Sequence, residues 1–232
     1  MAAIQIFETP EKMATAAAEH AGSVLRGVIL KRQKGLLIIA IGTSQDHLID
    51  ALTQRPDIER RRVAVFHMEE YVGIADTHPT SFRRWLRMGL ADIVHPAAAH
   101  HLNGDAVDSK GEANRYGRLL DEKPVDLCFL EFGENGHIAF NDPPSVDFHD
   151  PETVKRVQLD QASRRQQVGE GHFPTIEDVP DLLSLRAVSY LDLFRSRVPK
   201  GAGRPRRLGR THWHRLSGFS GANASRRFRF PG

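Results

Sequence analysis

The sequence predicts an α/β fold with a mostly parallel sheet, and three observations carry this prediction. Three apolar runs, at residues 36–41, 63–66 and 125–132, have the composition of buried strands. Helical patterns of ordinary length separate these runs, and such alternation is typical of βαβ units. A polar motif follows each run directly, as expected when ligands bind at the carboxyl ends of parallel strands.

The first helix is predicted to extend from Thr9 to about Gln33. Thr9 is a good capping residue, and Pro10 suits the first helical position. We expect the helix to end before Gly35. Residues 36–41 are then apolar without interruption, which indicates a strand that is buried on both faces.

Three further helices are predicted from the spacing of apolar residues. They extend from Gln45 to about Thr53, from Pro79 to Leu90 and from Ala106 to Asp121. Phe82 and Trp85 in the second of these have helical spacing. We interpret the two rings as core or interface packing.

Charge is distributed unevenly along the 232 residues. Residues 1–180 hold 20 basic and 27 acidic side chains, a net charge of −7, whereas residues 181–232 hold 12 and 2, a net charge of +10. The isoelectric point of the whole chain, near 9.2, is therefore high because of the basic tail. The larger part of the chain shows no basic patch for nucleic acid. We expect a folded domain over residues 1–180 and a basic, poorly structured tail over residues 181–232.

Residues 201–232 are rich in Arg, Gly and Ser and contain no strand-like run. Such composition predicts little packed structure. An alternative is a nucleic-acid-binding arm whose aromatic rings stack on bases, but we expect no nucleic-acid partner.

Location is constrained by what the sequence lacks. No segment approaches the ~20 apolar residues that cross a bilayer, and residues 1–10 lack the order of a secretory signal. The single cysteine, Cys128, lies in an apolar run that predicts burial, and one cysteine suits a reducing compartment. We therefore expect a cytoplasmic protein without a membrane partner.

The first polar motif is Gly42-Thr43-Ser44, between a predicted strand and a predicted helix. Glycine allows a ligand to approach the backbone closely, and free amides at a helix start favour a phosphate. An ordinary helix cap explains the same residues equally well.

The second motif places Glu69 and Glu70 just after the strand at 63–66. A 1,2-proton transfer on a sugar needs a carboxylate beside the reacting carbon, partly desolvated so that its pKa approaches the working pH. Glu69 is the candidate base. The alternative is a pair of solvated or helix-capping acids.

The third motif contains His137, with Asp142 five residues later. Opening a pyranose ring moves a proton between the anomeric hydroxyl and the ring oxygen. An imidazole suits this transfer near neutral pH, and a nearby carboxylate can fix its tautomer. A loop histidine without a function is the alternative.

Two of these motifs resemble segments of a known family. Residues 67–73 (HMEEYVG) are similar to the HMDEYVG segment of the glucosamine-6-phosphate deaminase/isomerase family, and residues 133–143 (GENGHIAFNDP) resemble its most diagnostic stretch. Residues 78–82 and 102–104 also match its connecting segments. The resemblance extends over about residues 10–180 and implies a Rossmann-like three-layer α/β sandwich.

The resemblance also implies a role for each candidate residue. It makes Glu69 the group that moves a proton between carbons 1 and 2, and His137 the ring-opening histidine with Asp142 as its acidic partner. Asn135 occupies a further catalytic position, which is aspartate in some members. The implied phosphate-binding residues are Gly42, Thr43, Ser44 and Arg165, with Arg164 as the alternative to the last. The implied reaction converts glucosamine 6-phosphate and water into fructose 6-phosphate and ammonia, without a metal or an organic cofactor.

Several departures from the family pattern bear on activity. Glu69 stands in place of the usual aspartate, and a displacement of about 1 Å can cost on the order of 100-fold in rate. Ile41 replaces a common threonine. After Pro180 the pattern ends abruptly, and we hypothesise a shift of reading frame near residue 181, which resequencing of the coding DNA would test.

Other functions remain open at the level of sequence. A 6-phosphogluconolactonase-like hydrolase shares the implied fold, and an inactive sugar-phosphate-binding remnant is a further alternative. The spacing of His95, His100 and His101 matches no metal-ligand pattern, so we expect a solvated surface there and no metal. A small-molecule sugar phosphate is the expected partner, and the oligomeric state, including a homo-oligomer, stays open.

Overall fold

A computed structural model describes residues 4–42, 45–130, 140–141, 147 and 150–186 of the chain. Within these residues the helices are α1 (Pro10–Arg32), α2 (Asp46–Thr53), α3 (Phe82–Leu86), α4 (Asp92–Val94), α5 (Ser109–Asp121) and α6 (Gln161–Gly169). The strands are β1 (Gly35–Ile39), β2 (Val63–His67), β3 (Glu69–Tyr71), β4 (Ala98–His100), β5 (Leu127–Phe129), β6 (Val154–Gln158) and β7 (Leu182–Arg186).

A four-stranded parallel sheet forms the centre of the fold, with the order β4-β2-β1-β5. Strand β1 pairs with β2 along its whole length, so that Ile39 lies opposite His67. A second, antiparallel sheet has the order β3-β7-β6. The predicted α/β fold with a mostly parallel central sheet is confirmed.

Strand β1 separates two hydrophobic cores. Leu37 and Ile39 point into a core that they share with α1 and α2. Leu36 and Ile38 point into a second core with α5. The unbroken apolar run is therefore buried on both faces, as predicted, because helices cover both sides of the sheet.

Helix α1 begins as its sequence predicts. The Thr9 hydroxyl accepts a hydrogen bond from the Lys12 amide at 3.3 Å, and Pro10 occupies the first turn. The helix ends at Arg32 because Gln33 adopts a left-handed conformation with φ 64°. Gly35 already belongs to β1.

The helix predicted over 79–90 starts later and changes its winding. Ser81 caps α3 by accepting a hydrogen bond from the Arg84 amide at 3.2 Å, so the helix begins at Phe82. After α3 the chain forms a π-helix over Arg87–Ala91, followed by α4. Phe82 is buried and Trp85 packs against the same core, which confirms their predicted packing.

Among the described residues before Asp181, strands β3, β4 and β6 and helix α6 had no predicted counterpart. Strands β3 and β4 contain only three residues each, too few for a periodic pattern to be visible. Strand β6 carries the buried Val154 and Val157 but interrupts them with polar residues.

Strand β7 lies within the segment predicted as a poorly structured tail. It pairs with β3 on one side and β6 on the other, and Leu183 is fully buried. The ordered fold therefore continues beyond the predicted boundary at residue 180. The rest of the predicted tail, residues 187–232, lies outside the described residues.

Candidate active site

The carboxyl ends of β1 and β2 bring two of the predicted motifs together. The Ile41 amide, one residue before Gly42, donates a hydrogen bond to Oε1 of Glu69 at 3.2 Å. The Met68 amide donates to the Ile39 carbonyl at 3.1 Å, which fixes the chain just before Glu69. The Glu69 carboxylate thus lies at the start of the turn that contains the first motif.

Glu69 is almost completely buried, with 2% of its surface exposed. Burial of a carboxylate is costly unless hydrogen bonds compensate it, and the Ile41 amide supplies one such bond. Of the two acids, Glu69 is the one whose carboxylate contacts the Ile41 amide, directly before the first motif. The alternative of a solvated acid is excluded for this residue.

Glu70 has a different environment, although it is also fully buried. Its carboxylate accepts hydrogen bonds from the Ser81 hydroxyl at 2.9 Å and from the Phe82 and Arg83 amides at 3.2 and 2.8 Å. It also accepts from the Tyr71 amide at 3.0 Å. Glu70 therefore binds the amino end of α3, which is the helix-capping alternative considered for the pair.

The pKa of Glu70 is raised from 4.5 to about 7. Burial is the largest cause, because removal from water disfavours the charged form. The four hydrogen bonds act in the opposite direction. Three of the four partners are amides that can only donate, whereas the Ser81 hydroxyl can also accept a hydrogen bond from the protonated carboxyl group.

His67, the last residue of β2, is buried between both motifs and β4. Its Nδ1 lies 2.8 Å from the Glu69 carbonyl oxygen, and its Nε2 accepts a hydrogen bond from the Leu102 amide at 3.0 Å. The Tyr116 hydroxyl donates to the His67 carbonyl at 2.8 Å. The sequence motifs predicted no role for His67, although it stands two residues before Glu69.

The loop after β4 packs closely against the end of β3. The Gly73 amide donates to the Gly104 carbonyl at 2.7 Å. A Cβ atom at Gly104 would lie 2.4 Å from the Tyr71 carbonyl oxygen and 2.7 Å from that of Ile74. The loop can approach β3 this closely because residue 104 is glycine.

Helix α6 contacts β3 through a buried polar pair. The Tyr71 hydroxyl donates to the Gln167 side-chain oxygen, and both side chains are buried. The Tyr71 ring stacks on Phe82 with centroids 4.8 Å apart. Strand β3 is thereby held from both α3 and α6.

Arg165, the predicted phosphate ligand, is exposed and donates to the Gln161 side chain at 2.9 Å. Arg164, the alternative, donates to the Ile176 carbonyl at 2.6 Å and pairs with Asp181 at 2.8 Å. Among the described residues, neither guanidinium shows a contact with Glu69. The role of Arg165 stays a prediction, and Arg164 has a structural role in anchoring the chain before β7.

Five predicted site residues lie outside the described residues. They are Thr43, Ser44, Asn135, His137 and Asp142. The end of the third motif is described at two positions, Phe140 and Asn141, and both side chains are buried. The Phe140 ring lies 6.4 Å from that of Phe82, so this end of the motif packs beside the helix that Glu70 caps.

His100 and His101 differ from the predicted solvated surface. Both are half-buried, and the His100 ring stacks on Phe66 with centroids 4.4 Å apart. Burial lowers the pKa of each imidazole. In the described part of the chain no group of three or more His, Cys, Asp or Glu could hold a metal ion, and no described helix has the length and apolarity to span a bilayer.

The fold and the buried carboxylate define a class of protein. It is an α/β protein whose candidate site lies at the carboxyl ends of parallel strands, where a strand-to-helix turn meets Glu69. A family model described as glucosamine-6-phosphate isomerases/6-phosphogluconolactonase matches residues 8–165. The chain belongs to this family.

Curated relatives carry the name glucosamine-6-phosphate deaminase. The protein from Exiguobacterium sp. is 38% identical over 119 residues, which cover 51% of this chain and 44% of that protein. The protein from Listeria monocytogenes is 29% identical over 177 residues, covering 76% of this chain and 72% of the relative. The protein from Bacillus cereus is 30% identical, with coverages of 76% and 64%. The chain thus spans less than half of the first of these relatives.

Solved structures show the same fold. A monomeric glucosamine-6-phosphate deaminase aligns with a TM-score of 0.70 at 22% identity, over 78% of this chain and 74% of that chain. A 6-phosphogluconolactonase from Trypanosoma brucei aligns with a TM-score of 0.63 at 14% identity, over 83% and 79% of the two chains.

Proposed function

We propose that this chain converts glucosamine 6-phosphate and water into fructose 6-phosphate and ammonia. The observation that carries the proposal is the position of Glu69, a buried carboxylate held by the Ile41 amide directly before Gly42. The names of the curated relatives support the same substrate.

In this proposal Glu69 is the base. It removes a proton from carbon 2 of the open-chain sugar and returns it to carbon 1, while the nitrogen loses one proton and the oxygen on carbon 1 gains one, so that the aldehyde becomes an alcohol and carbon 2 forms a double bond to nitrogen. The nitrogen on carbon 2 is then part of an imine. Water cleaves this imine into the ketone and ammonia, so that the enzyme acts as an isomerase and as a hydrolase.

The remaining proposed roles follow the resemblance. His137 moves the proton that opens the pyranose ring, with Asp142 as its acidic partner and Asn135 beside it. The amides of the turn from Gly42 to Ser44 bind the phosphate. Arg165 would have to leave Gln161 before it could contribute.

The proposal is tested by measuring ammonium and fructose 6-phosphate released from glucosamine 6-phosphate by the purified chain. Because an amide cannot accept the proton, Glu69→Gln is expected to lower kcat at least about 100-fold. Glu177→Gln changes an exposed acid and is expected to leave kcat unchanged. A folded wild-type chain without turnover, or a Glu69→Gln variant within threefold of wild type, would contradict the proposal. His137→Ala provides a second inactive variant.

A 6-phosphogluconolactonase activity is the second candidate, since the family description includes it. This reaction also consumes water but releases no ammonia. Acid release from 6-phosphogluconolactone, without ammonium from the amino sugar, would favour it. Catalysis of neither reaction by a folded chain that still binds the sugar phosphate would favour an inactive remnant.

The location of the chain belongs to the proposal as well. The single cysteine, Cys128, has no second cysteine in the chain with which to form a disulfide, which supports a reducing, cytoplasmic compartment. Its side chain is half-buried and packs against the second core.

A further inference from the structure

His67 connects three segments that meet at the candidate site. It is the last residue of β2, and its ring contacts both the first residue of β3 and the loop after β4. The relevant distances are 2.8 Å from Nδ1 to the Glu69 carbonyl oxygen and 3.0 Å from Nε2 to the Leu102 nitrogen. The ring is 1% exposed.

The partners of the ring determine where its proton is. The Leu102 amide can only donate, so Nε2 must accept and carries no proton. The Glu69 carbonyl can only accept, so Nδ1 must carry the proton and donate. Both nitrogens have the partner that they need only in the neutral Nδ1–H tautomer.

The surroundings of the ring disfavour its charged form. Burial is the main cause, and the positive charge of Arg83 on α3 and the neighbouring His101 after β4 add to it, so that the pKa of His67 is lowered to about 3. The His101 ring centroid lies 5.8 Å away, and that of Tyr116 on α5 lies 5.9 Å away. The carbonyl of Glu69 acts in the opposite direction.

We propose that His67 is a positioning residue, a neutral imidazole whose Nδ1–H bond to the Glu69 carbonyl fixes the place of the Glu69 carboxylate. This inference rests on the proposed function for the role of Glu69. The main chain of His67 is itself fixed, because Tyr116 donates to its carbonyl at 2.8 Å. The ring therefore fixes the Glu69 main chain relative to the central sheet.

Loss of this bond would loosen the peptide that carries the base, because the Glu69 carbonyl would lose its partner. The Ile41 amide would still attract the carboxylate, and Met68 and β7 would still hold the neighbouring main chain, so the expected change is a small shift of Glu69. A displacement of about 1 Å at a reacting group can cost on the order of 100-fold in rate. The effect would fall on kcat, since His67 itself contacts no phosphate-binding residue among the described parts of the chain.

Two substitutions separate positioning from simple packing. In His67→Asn the amide nitrogen takes the place of Nδ1 and keeps the bond to Glu69, but the Leu102 bond is lost. In His67→Gln the amide oxygen takes the place of Nε2 and keeps the Leu102 bond, but the Glu69 bond is lost. Each variant loses one buried hydrogen bond, so similar unfolding midpoints are expected.

We expect kcat of His67→Gln to be at least tenfold below that of His67→Asn, with KM values within about twofold of each other. A purely structural role would lower kcat of both variants in proportion to their loss of stability. Equal kcat values in the two variants, or a lower value in His67→Asn, would overturn the inference.

A second measurement tests the inference without an activity assay. The Ile41 amide proton reports the position of the Glu69 carboxylate, because it donates to Oε1. In ¹⁵N-labelled protein this proton is expected to exchange at least tenfold faster in His67→Gln than in His67→Asn. In wild type, ¹⁵N-labelled histidine is expected to show the proton of His67 on Nδ1 from pH 5 to 8.

Equal Ile41 exchange rates in the two variants, a proton on Nε2, or a charged ring at pH 6 would overturn the inference. If the wild-type chain does not turn over glucosamine 6-phosphate, the proposed function fails. The Ile41 exchange rates and the tautomer of His67 then decide the positioning inference by themselves.

Discussion

Glu69 and Glu70 are adjacent in sequence, yet their carboxylates have different partners. Side chains of successive residues in a strand point to opposite faces, as those of Glu69 and Glu70 do in β3. Glu69 reaches the Ile41 amide at the end of β1, whereas Glu70 reaches the amino end of α3. One short strand thus supplies a candidate base and a helix cap.

Glu69→Asp is expected to destabilise the protein, although the resemblance makes aspartate the usual residue. The shorter side chain would leave the buried Ile41 amide without its 3.2 Å acceptor. An unsatisfied buried group costs about 1–3 kcal/mol, so the free energy of unfolding in urea should fall by that amount. Glu69→Gln keeps the length and the acceptor oxygen, and serves as the control. Equal stability of the two variants would contradict this explanation.

Glu70→Gln is expected to flatten the dependence of stability on pH. The folded pKa of about 7 exceeds the ordinary 4.5, so the folded protein binds the proton more tightly than the unfolded chain. The stabilisation is fully present below pH 4.5 and is lost as the pH rises through 7, with a size on the order of 3 kcal/mol. Urea unfolding at pH 5 and pH 8 measures it.

The matched control for Glu70→Gln is Glu177→Gln, which changes an exposed acid. It should keep the wild-type difference between the two pH values, whereas Glu70→Gln should lose most of it. If Glu70→Gln keeps the full difference, another group causes the dependence. The amide also places a donor against donors, so a lower midpoint at both pH values is expected.

At the scale of elements, β7 holds the second sheet together. It pairs with three residues of β3 and five of β6. Strand β3 carries both Glu69 and Glu70, so β7 also supports the candidate site. This placement makes the start of the basic tail part of the site's framework.

Truncation separates the strand from the rest of the tail. A chain that ends after residue 180 lacks β7 and exposes two strand edges and the apolar surface around Leu183. We expect it to lose cooperative thermal unfolding. A chain that ends after residue 190 keeps β7 and should unfold cooperatively. Equal midpoints in circular dichroism melts would show that β7 contributes nothing.

At the scale of the whole molecule, apolar runs were sufficient to predict β1, β2 and β5 of the central sheet, but not β4 at its edge. Strands β1 and β2 are long, apolar runs, and helices α1 and α5 have clear spacing, so their burial could be predicted from sequence. The second sheet could not be, because its strands are short or mixed in polarity. Their stability comes from pairing between distant segments, which a local pattern does not contain.

The candidate site also has features that the sequence predicted and features that it could not predict. A strand end followed by two acids could be recognised in the sequence, and so could Gly42. The bond from the Ile41 amide to Glu69 depends on the register between β1 and β2, which pairs Ile39 with His67. The same register sets the position from which the His67 ring reaches the Glu69 carbonyl and the Leu102 amide. Sequence spacing alone could not supply that register.

The strict alternation of β1 between two cores restricts how this gene can evolve. Insertion or deletion of one residue within β1 would exchange the side chains of the two cores. The same slip would move the turn at Gly42 away from Glu69. Substitutions in this strand can be tolerated one at a time, but changes of length cannot, so natural variation in loop size should be confined to the connections on either side.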